Sequence, residues 1–389
     1  MAQLLLIRGA KQLLTLRGPS GVRRGAALDN LGIIEDGSVL IRDGLIDQVG
    51  STRRIENLKE ARSAAEISVD GAVVMPGFVD ADIQLSLEHS NVPGKRKRIA
   101  EFYNESLALM RSCLQHGTLT AQVKAGAPDC DIPAGLALLR QLAVIGNHPI
   151  GMLRTWRVDD RSGRGLTASD ELASVVPLLL KRKFAERLEV TRETGLAARE
   201  SAWAAASEHG VGINLLWPGG SAETLANLLA RVRPVSVSSP HELTSAESAV
   251  LSESPVPIVF APARSITENK TSDSIRQLAN AGGPIALSSG YDPRSMPVFN
   301  LQVAIALAVF RLKLTTEQAI SAATINAAHA LGLGDSVGSL EPGKRADLLV
   351  MNLPDYREIP KRFGVNHVGM AIREGKIAFN RVGWKVSAA

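Results

Sequence analysis

Between Phe78 and Ser289 the chain passes through seven short apolar runs separated by segments of helical pattern: Phe78 to Leu85, Thr118 to Lys124, Pro149 to Trp156, Val211 to Leu216, Pro234 to Ser238, Ile258 to Ala261 and Ile285 to Ser289. Strands that alternate with helices pair in parallel, because each crossover returns the chain to the same end of the sheet, and seven or eight such units can close into a ring. The alternation therefore predicts an α/β chain built on a (β/α)8 TIM-like barrel. Helix starts are legible within it. Ser239-Pro240-His241-Glu242 offers Ser as N-cap, Pro at the first helical position and Glu three residues after the cap, and Thr315-Thr316-Glu317-Gln318 reads as a second capping box. Leu225, Leu228 and Leu229 have the spacing of a core-facing helical stripe.

The two ends of the chain read differently. Ser38 to Arg42 and Leu45 to Val49 flank Asp43-Gly44, a strong hairpin signal, while Ala346 to Met351 and Gly369 to Asn380 carry short apolar runs, the second broken by Gly375-Lys376. Neither end has enough strands to cover a face alone, so each is expected to pair with the other. The expected organisation is a small composite β-sandwich domain from residues 1–70 and 338–389, with the barrel at 71–337 inserted between its halves.

With 389 residues, 45% of them hydrophobic, the chain can bury a large core. Its longest apolar stretches, such as Leu301 to Phe310, fall short of the roughly 18 residues a spanning helix needs. Cys113 and Cys130 belong to no C-x-x-C pair, and Met1 to Leu6 lacks the features of a secretory leader, so a cytoplasmic location is expected. The net charge of +5 is spread out, with only Lys95 to Arg98 forming a basic run, so neither nucleic acid nor membrane is expected as a partner.

Four stretches in chain order carry a resemblance: Asp43-Gly44-Leu45-Ile46 with Val49-Gly50; Val74-Met75-Pro76-Gly77-Phe78-Val79-Asp80; Thr324-Ile325-Asn326-Ala327-Ala328; and Gly338-Ser339-Leu340-Glu341-Pro342-Gly343-Lys344-Arg345-Ala346-Asp347-Leu348. Together they resemble the amidohydrolase superfamily from end to end. Gln12 to Arg17, His116-Gly117-Thr118, Asp355 to Pro360 and Phe363 to Asn366 are similar to imidazolonepropionases within it. The resemblance implies a (β/α)8 barrel holding one Zn or Fe that activates water to open the ring of imidazolone propionate.

That chemistry needs a cation, which shifts the pKa of bound water by about nine units, or about 12 kcal/mol. Against the family pattern, the His-x-His of the first barrel strand falls at Asp82 and Gln84, the third histidine at Asn214, the catalytic glutamate at Trp217 and the last aspartate at Gly290, beside Tyr291. The family's Glu-x-Lys-Ser-Gly-Tyr-Gly aligns with Gln122-Val123-Lys124-Ala125-Gly126-Ala127-Pro128, its substrate arginine falls near Asn91, and its third-strand histidine near Asp160. Of the polar set, Lys124 and His241 remain. No metal and no other cofactor is expected, since one carboxylate with amides supplies less charge than Mg²⁺ or Ca²⁺ demands. Asp80 is expected to be hydrogen-bonded scaffold. His241 reads either as a general base or as a retained pocket or capping histidine, and Asp159-Asp160 either as an acid/base pair or as a solvated loop.

Two functional readings stay open. One is a metal-free, catalytically degenerate pseudoenzyme that binds a small molecule or partners an active homologue, with a homodimer implied by the resemblance. The alternative is a hydrolase of cyclic amide C–N bonds with a rebuilt or atypical site. Period two places Gln122 and Lys124 on one face of the second barrel strand and Asp80, Asp82 and Gln84 on one face of the first, so Lys124 is expected to approach Asp82 in place of the missing cation.

Overall fold

The computed structural model describes residues 3–85, 99–126, 132–158, 166–191, 196–239, 241–264 and 273–387. The first strands, β1 (Leu4–Leu14), β2 (Ile33–Arg42), β3 (Leu45–Ser51), β4 (Ala65–Ser68) and β5 (Val73–Pro76), join β14 (Leu348–Met351), β15 (Val368–Arg373) and β16 (Lys376–Asn380). They form one eight-stranded sheet in the order β16-β15-β14-β5-β1-β2-β3, with β4 against β1. The ends thus pair as expected, through antiparallel β5 and β14. Their hairpin tips also meet. Asp43 and Gly44 both have positive φ, 50° and 83°, as a type I′ turn requires. A Cβ on Gly44 would stand 2.8 Å from the Glu374 carbonyl oxygen in the turn between β15 and β16, so only glycine permits this approach.

The barrel strands are β6 (Phe78–Gln84), β7 (Thr118–Gly126), β8 (Gly151–Val158), β9 (Arg187–Thr191), β10 (Ile213–Leu216), β11 (Ser236–Ser238), β12 (Ile258–Phe260) and β13 (Ile285–Leu287). They are parallel and paired in chain order. The ring closes just past β13, where Tyr291 bridges Ile83 and the Gln84 N–H donates to the Tyr291 carbonyl at 2.8 Å. The structure is thus a (β/α)8 TIM-like barrel with an additional β sheet drawn from both chain ends.

Two local expectations need correction. The sequence offered seven barrel strands; the eighth, β9, reads Arg-Leu-Glu-Val-Thr, and its Arg187, Glu189 and Thr191 are buried. An apolar-run criterion misses a strand whose polar face turns inward. The capping box expected at Ser239 lies five residues later: Thr244 is the N-cap of the Ser245–Glu253 helix, and Glu247 closes the box. The Thr315 and Gln318 box is where the pattern put it, and Leu225 of the Ala222–Val232 helix is fully buried.

Candidate functional site

Residues of the first barrel strands stack in polar layers inside the ring. In the deeper layer the Gln122 amide donates to Thr155 Oγ1 on the next strand at 2.7 Å, and the Asn214 amide donates to Gln122 Oε1 at 3.1 Å. Because β7 and β10 are not sheet neighbours, the second bond crosses the barrel interior. Asn214, where the sequence resemblance puts the family's third histidine, is thereby tied to an amide.

One step toward the mouth the layer is charged. Lys124 Nζ, only 1% exposed, lies 3.0 Å from Asp82 Oδ1 and 2.5 Å from Glu189 Oε2. Arg157 Nε meets Glu189 Oε1 at 2.6 Å, and Arg264 Nη2 meets Asp82 Oδ2 at 3.1 Å. Gln84 joins through Arg157 Nη1 at 3.4 Å. The approach of Lys124 to Asp82 is as period two and strand adjacency require. Glu189, Arg157 and Arg264 complete a network of two acids and three bases that the sequence reading did not assemble. Arg157 stands two residues after Thr155, so period two carried a signal for it; Glu189 was hidden with its strand, and Arg264 follows β12 in a loop without periodicity.

The electrostatics follow from enclosure. Burial pushes Asp82 upward, but the charges of Lys124, Arg264 and Arg157 outweigh it and hold the carboxyl at about 2. Burial likewise opposes ionisation of Glu189, and Lys124 and Arg157 bring it below the usual carboxylate range. Asp80 behaves oppositely. Burial raises it to about 7, only partly offset by hydrogen bonds from Ser289 and from the Asp82 N–H. Its Oδ1 accepts from the Ser289 N–H at 3.1 Å across the closing seam, while its buried Oδ2 has no hydrogen-bond partner among the described residues. Asp80 is scaffold at the point where β6 and β13 lack a regular ladder.

On the far side of the mouth, buried Trp217 donates its indole N–H to Glu247 Oε1 at 2.5 Å, and His241 Nε2 lies 3.4 Å from the same oxygen. Ser239 Oγ lies 2.9 Å from His241 Nδ1. His241 therefore precedes its helix by four residues instead of sitting inside the first turn, and the Glu247 carboxylate was the missed partner. Tyr291 is half-buried and contributes its backbone to barrel closure. Asp160, with Asp159 and Asn91, lies outside the described residues.

A Zn or Fe ion of the kind the family pattern implies does not fit this donor set. Asp82 and Glu189 both face an ammonium, Asn214 is engaged by Gln122, and Trp217 offers no ligand. Gly290, where the resemblance puts the family's last aspartate, has φ +65°, and a Cβ there would stand 2.3 Å from Ala261 Cβ, so an aspartate is not accommodated without a shift. Among the described residues, no three His, Cys, Asp or Glu side chains group to hold a metal.

Comparison with known proteins places this arrangement. The chain is 31% identical to the imidazolonepropionase of Geobacillus thermodenitrificans, over 97% of this chain and 98% of that protein. The chain belongs to the amidohydrolase superfamily, in its imidazolonepropionase-like branch. The imidazolonepropionase of Geobacillus kaustophilus is 30% identical over the same shares of both chains. The profile of the amidohydrolase family matches residues 187–378, beginning at β9, after β6, which carries Asp82 and Gln84, and β7, which carries Lys124. Solved structures of this superfamily member's fold include E. coli guanine deaminase, with TM-score 0.71 and 18% identity over 97% of this chain and 99% of that one. A triazine hydrolase variant gives TM-score 0.74 and 16% identity over 97% of this chain and 95% of that one.

Proposed function

We propose that this chain is a metal-free member of the imidazolonepropionase-like branch, catalytically degenerate in metal-activated hydrolysis, whose barrel mouth binds a small molecule or serves a partnership with an active homologue. The observation that carries this reading is Lys124 Nζ, lodged between Asp82 and Glu189. An ammonium fixed within 3.0 Å of both carboxylates supplies their countercharge, so a divalent ion would have to displace it and would then sit beside the two guanidinium groups of Arg157 and Arg264. A lysine carries no ionisable water and cannot generate hydroxide at neutral pH as a metal does.

The reading is tested on purified protein by elemental analysis together with turnover of imidazolone propionate before and after incubation with Zn²⁺ or Fe²⁺. Expected are sub-stoichiometric metal and no metal-dependent turnover. Near one equivalent of tightly held metal with turnover restored by it would overturn the reading.

A further inference from the structure

We propose that Ser239, His241 and Glu247 form an acyl-transfer site at the barrel mouth, in which Ser239 Oγ is the nucleophile, His241 its base and Glu247 the group that orients the base, with a small carboxylic ester as substrate class. The proposal goes beyond the metal-free binding role and does not depend on it. Its carrying observation is the chain of contacts from Ser239 Oγ, 2.9 Å from His241 Nδ1, to His241 Nε2, 3.4 and 3.5 Å from the two Glu247 oxygens. A nucleophile within hydrogen-bond reach of a base that a third group orients is the generalised triad.

The roles of the two ring nitrogens follow from Glu247. Its carboxylate also accepts from the Trp217 indole at 2.5 Å, the Thr244 N–H at 2.8 Å and the Thr244 hydroxyl at 2.9 Å. Burial opposes its charge, but these donors and His241 hold it below the usual carboxylate range, so it is an acceptor only. Nε2 must then carry the imidazole proton, which leaves the Nδ1 lone pair facing Ser239. The ring is braced from one side by bare backbone: Gly219 has φ +106°, and a Cβ there would stand 3.3 Å from Nε2. The His241 side chain is 26% exposed while Glu247 behind it is buried, and Ser239 directly follows β11 at the end of the barrel where βα loops build sites. Ser239 Oγ also lies 3.1 Å from the His241 carbonyl oxygen, so its single proton has a competing acceptor and a turn-bracing role is the alternative to be tested.

The chemistry balances without a further reagent. Ser239 Oγ bonds to the ester carbonyl carbon as its proton passes to His241 Nδ1; the ester C–O bond breaks, and the departing alkoxide takes that proton and leaves as an alcohol. Water then attacks the acyl-serine and gives a proton to Nδ1, which returns it to Ser239 Oγ as the carboxylic acid leaves.

The full chain is incubated with a fluorophosphonate probe and, separately, with p-nitrophenyl acetate, and the adduct is located by peptide mass spectrometry. Expected is one adduct per chain on Ser239, none in Ser239→Ala, and labelling slowed on the order of 100-fold in His241→Gln. No adduct above the Ser239→Ala level, or an adduct elsewhere, overturns the proposal. Circular dichroism confirms that each variant is folded, and Ser239→Cys, tested with iodoacetamide, provides a second readout: thiol alkylation no faster than that of a free thiol would also overturn it. Metal content is read on the same preparation. A metal-loaded protein that labels at Ser239 would refute the metal-free reading alone, and a metal-free protein that fails to label would refute this one alone.

Discussion

An ammonium that is 1% exposed is tolerable only where anions surround it, and Lys124 has two, on two different strands. Asp82 and Glu189 are in turn tolerable only because of the bases around them. Lys124→Met is therefore expected to lower stability by about 3 kcal/mol in urea unfolding, since it leaves two buried carboxylates sharing only Arg157 and Arg264; an unchanged unfolding midpoint and slope would refute the role given to Lys124. Asp80 calls for the opposite treatment. Its folded pKa of about 7 lies above its unfolded value, so between about pH 4 and pH 7 the folded state holds a proton that the unfolded state has lost. Its contribution to stability accordingly falls as pH rises through that window, by on the order of 4 kcal/mol in all. Asp80→Asn keeps an oxygen for the Ser289 N–H and cannot ionise. Compared with wild type, it is expected to flatten the decline in stability from pH 5 to pH 8, and parallel pH profiles for the two proteins would show that Asp80 does not titrate there.

At the scale of elements, what could be read from sequence was set by which way the side chains of a strand point. β6 and β7 were legible because apolar residues flank their inward polar ones, and from them period two gave Asp82 and Lys124 a common mouth. β9 was not, since three of its five residues are polar and turn inward. Glu189 was lost with it, and the network appeared with one anion instead of two. The helix start at Thr244 slipped for a different reason: Ser239-Pro240 and Thr244-Ser245 both satisfy the cap pattern, and Glu247 settles the choice through bonds to the Thr244 N–H and hydroxyl that only coordinates display. The loop after β13 yields a prediction of its own. Gly290→Asp would restore the family's residue type, but on a left-handed backbone and against Ala261. It is expected to cost about 1–3 kcal/mol in thermal or urea unfolding and to gain no stoichiometric Zn²⁺. A variant as stable as wild type that binds one equivalent of Zn²⁺ would refute the steric argument.

At the scale of the molecule, the two sheets share their apolar matter. Leu13 and Leu14 of β1 and successive residues of β5 and β14 alternate between two clusters. Leu14, Val73, Met75, Leu349 and Met351 belong to the cluster that continues into the barrel. Leu13, Val74, Leu348 and Val350 belong to the one enclosed by the terminal strands. β5, β14 and the end of β1 are therefore buried on both faces, and neither cluster can lose them without the other being opened to water. Leu349→Ala, facing the barrel, and Val350→Ala, facing the other way, are each expected to destabilise the chain, the first by about 2–5 kcal/mol and the second by less because fewer methylenes are removed. The consequence is cooperativity: β14 comes from the far end of the chain, so unfolding of the terminal sheet removes one wall of the barrel core. In both variants and in wild type, near-ultraviolet and far-ultraviolet circular dichroism should follow one coincident urea transition. If Val350→Ala instead split the curve, with the terminal sheet melting first and the barrel signal persisting to higher urea, the shared strands would not couple the two bodies.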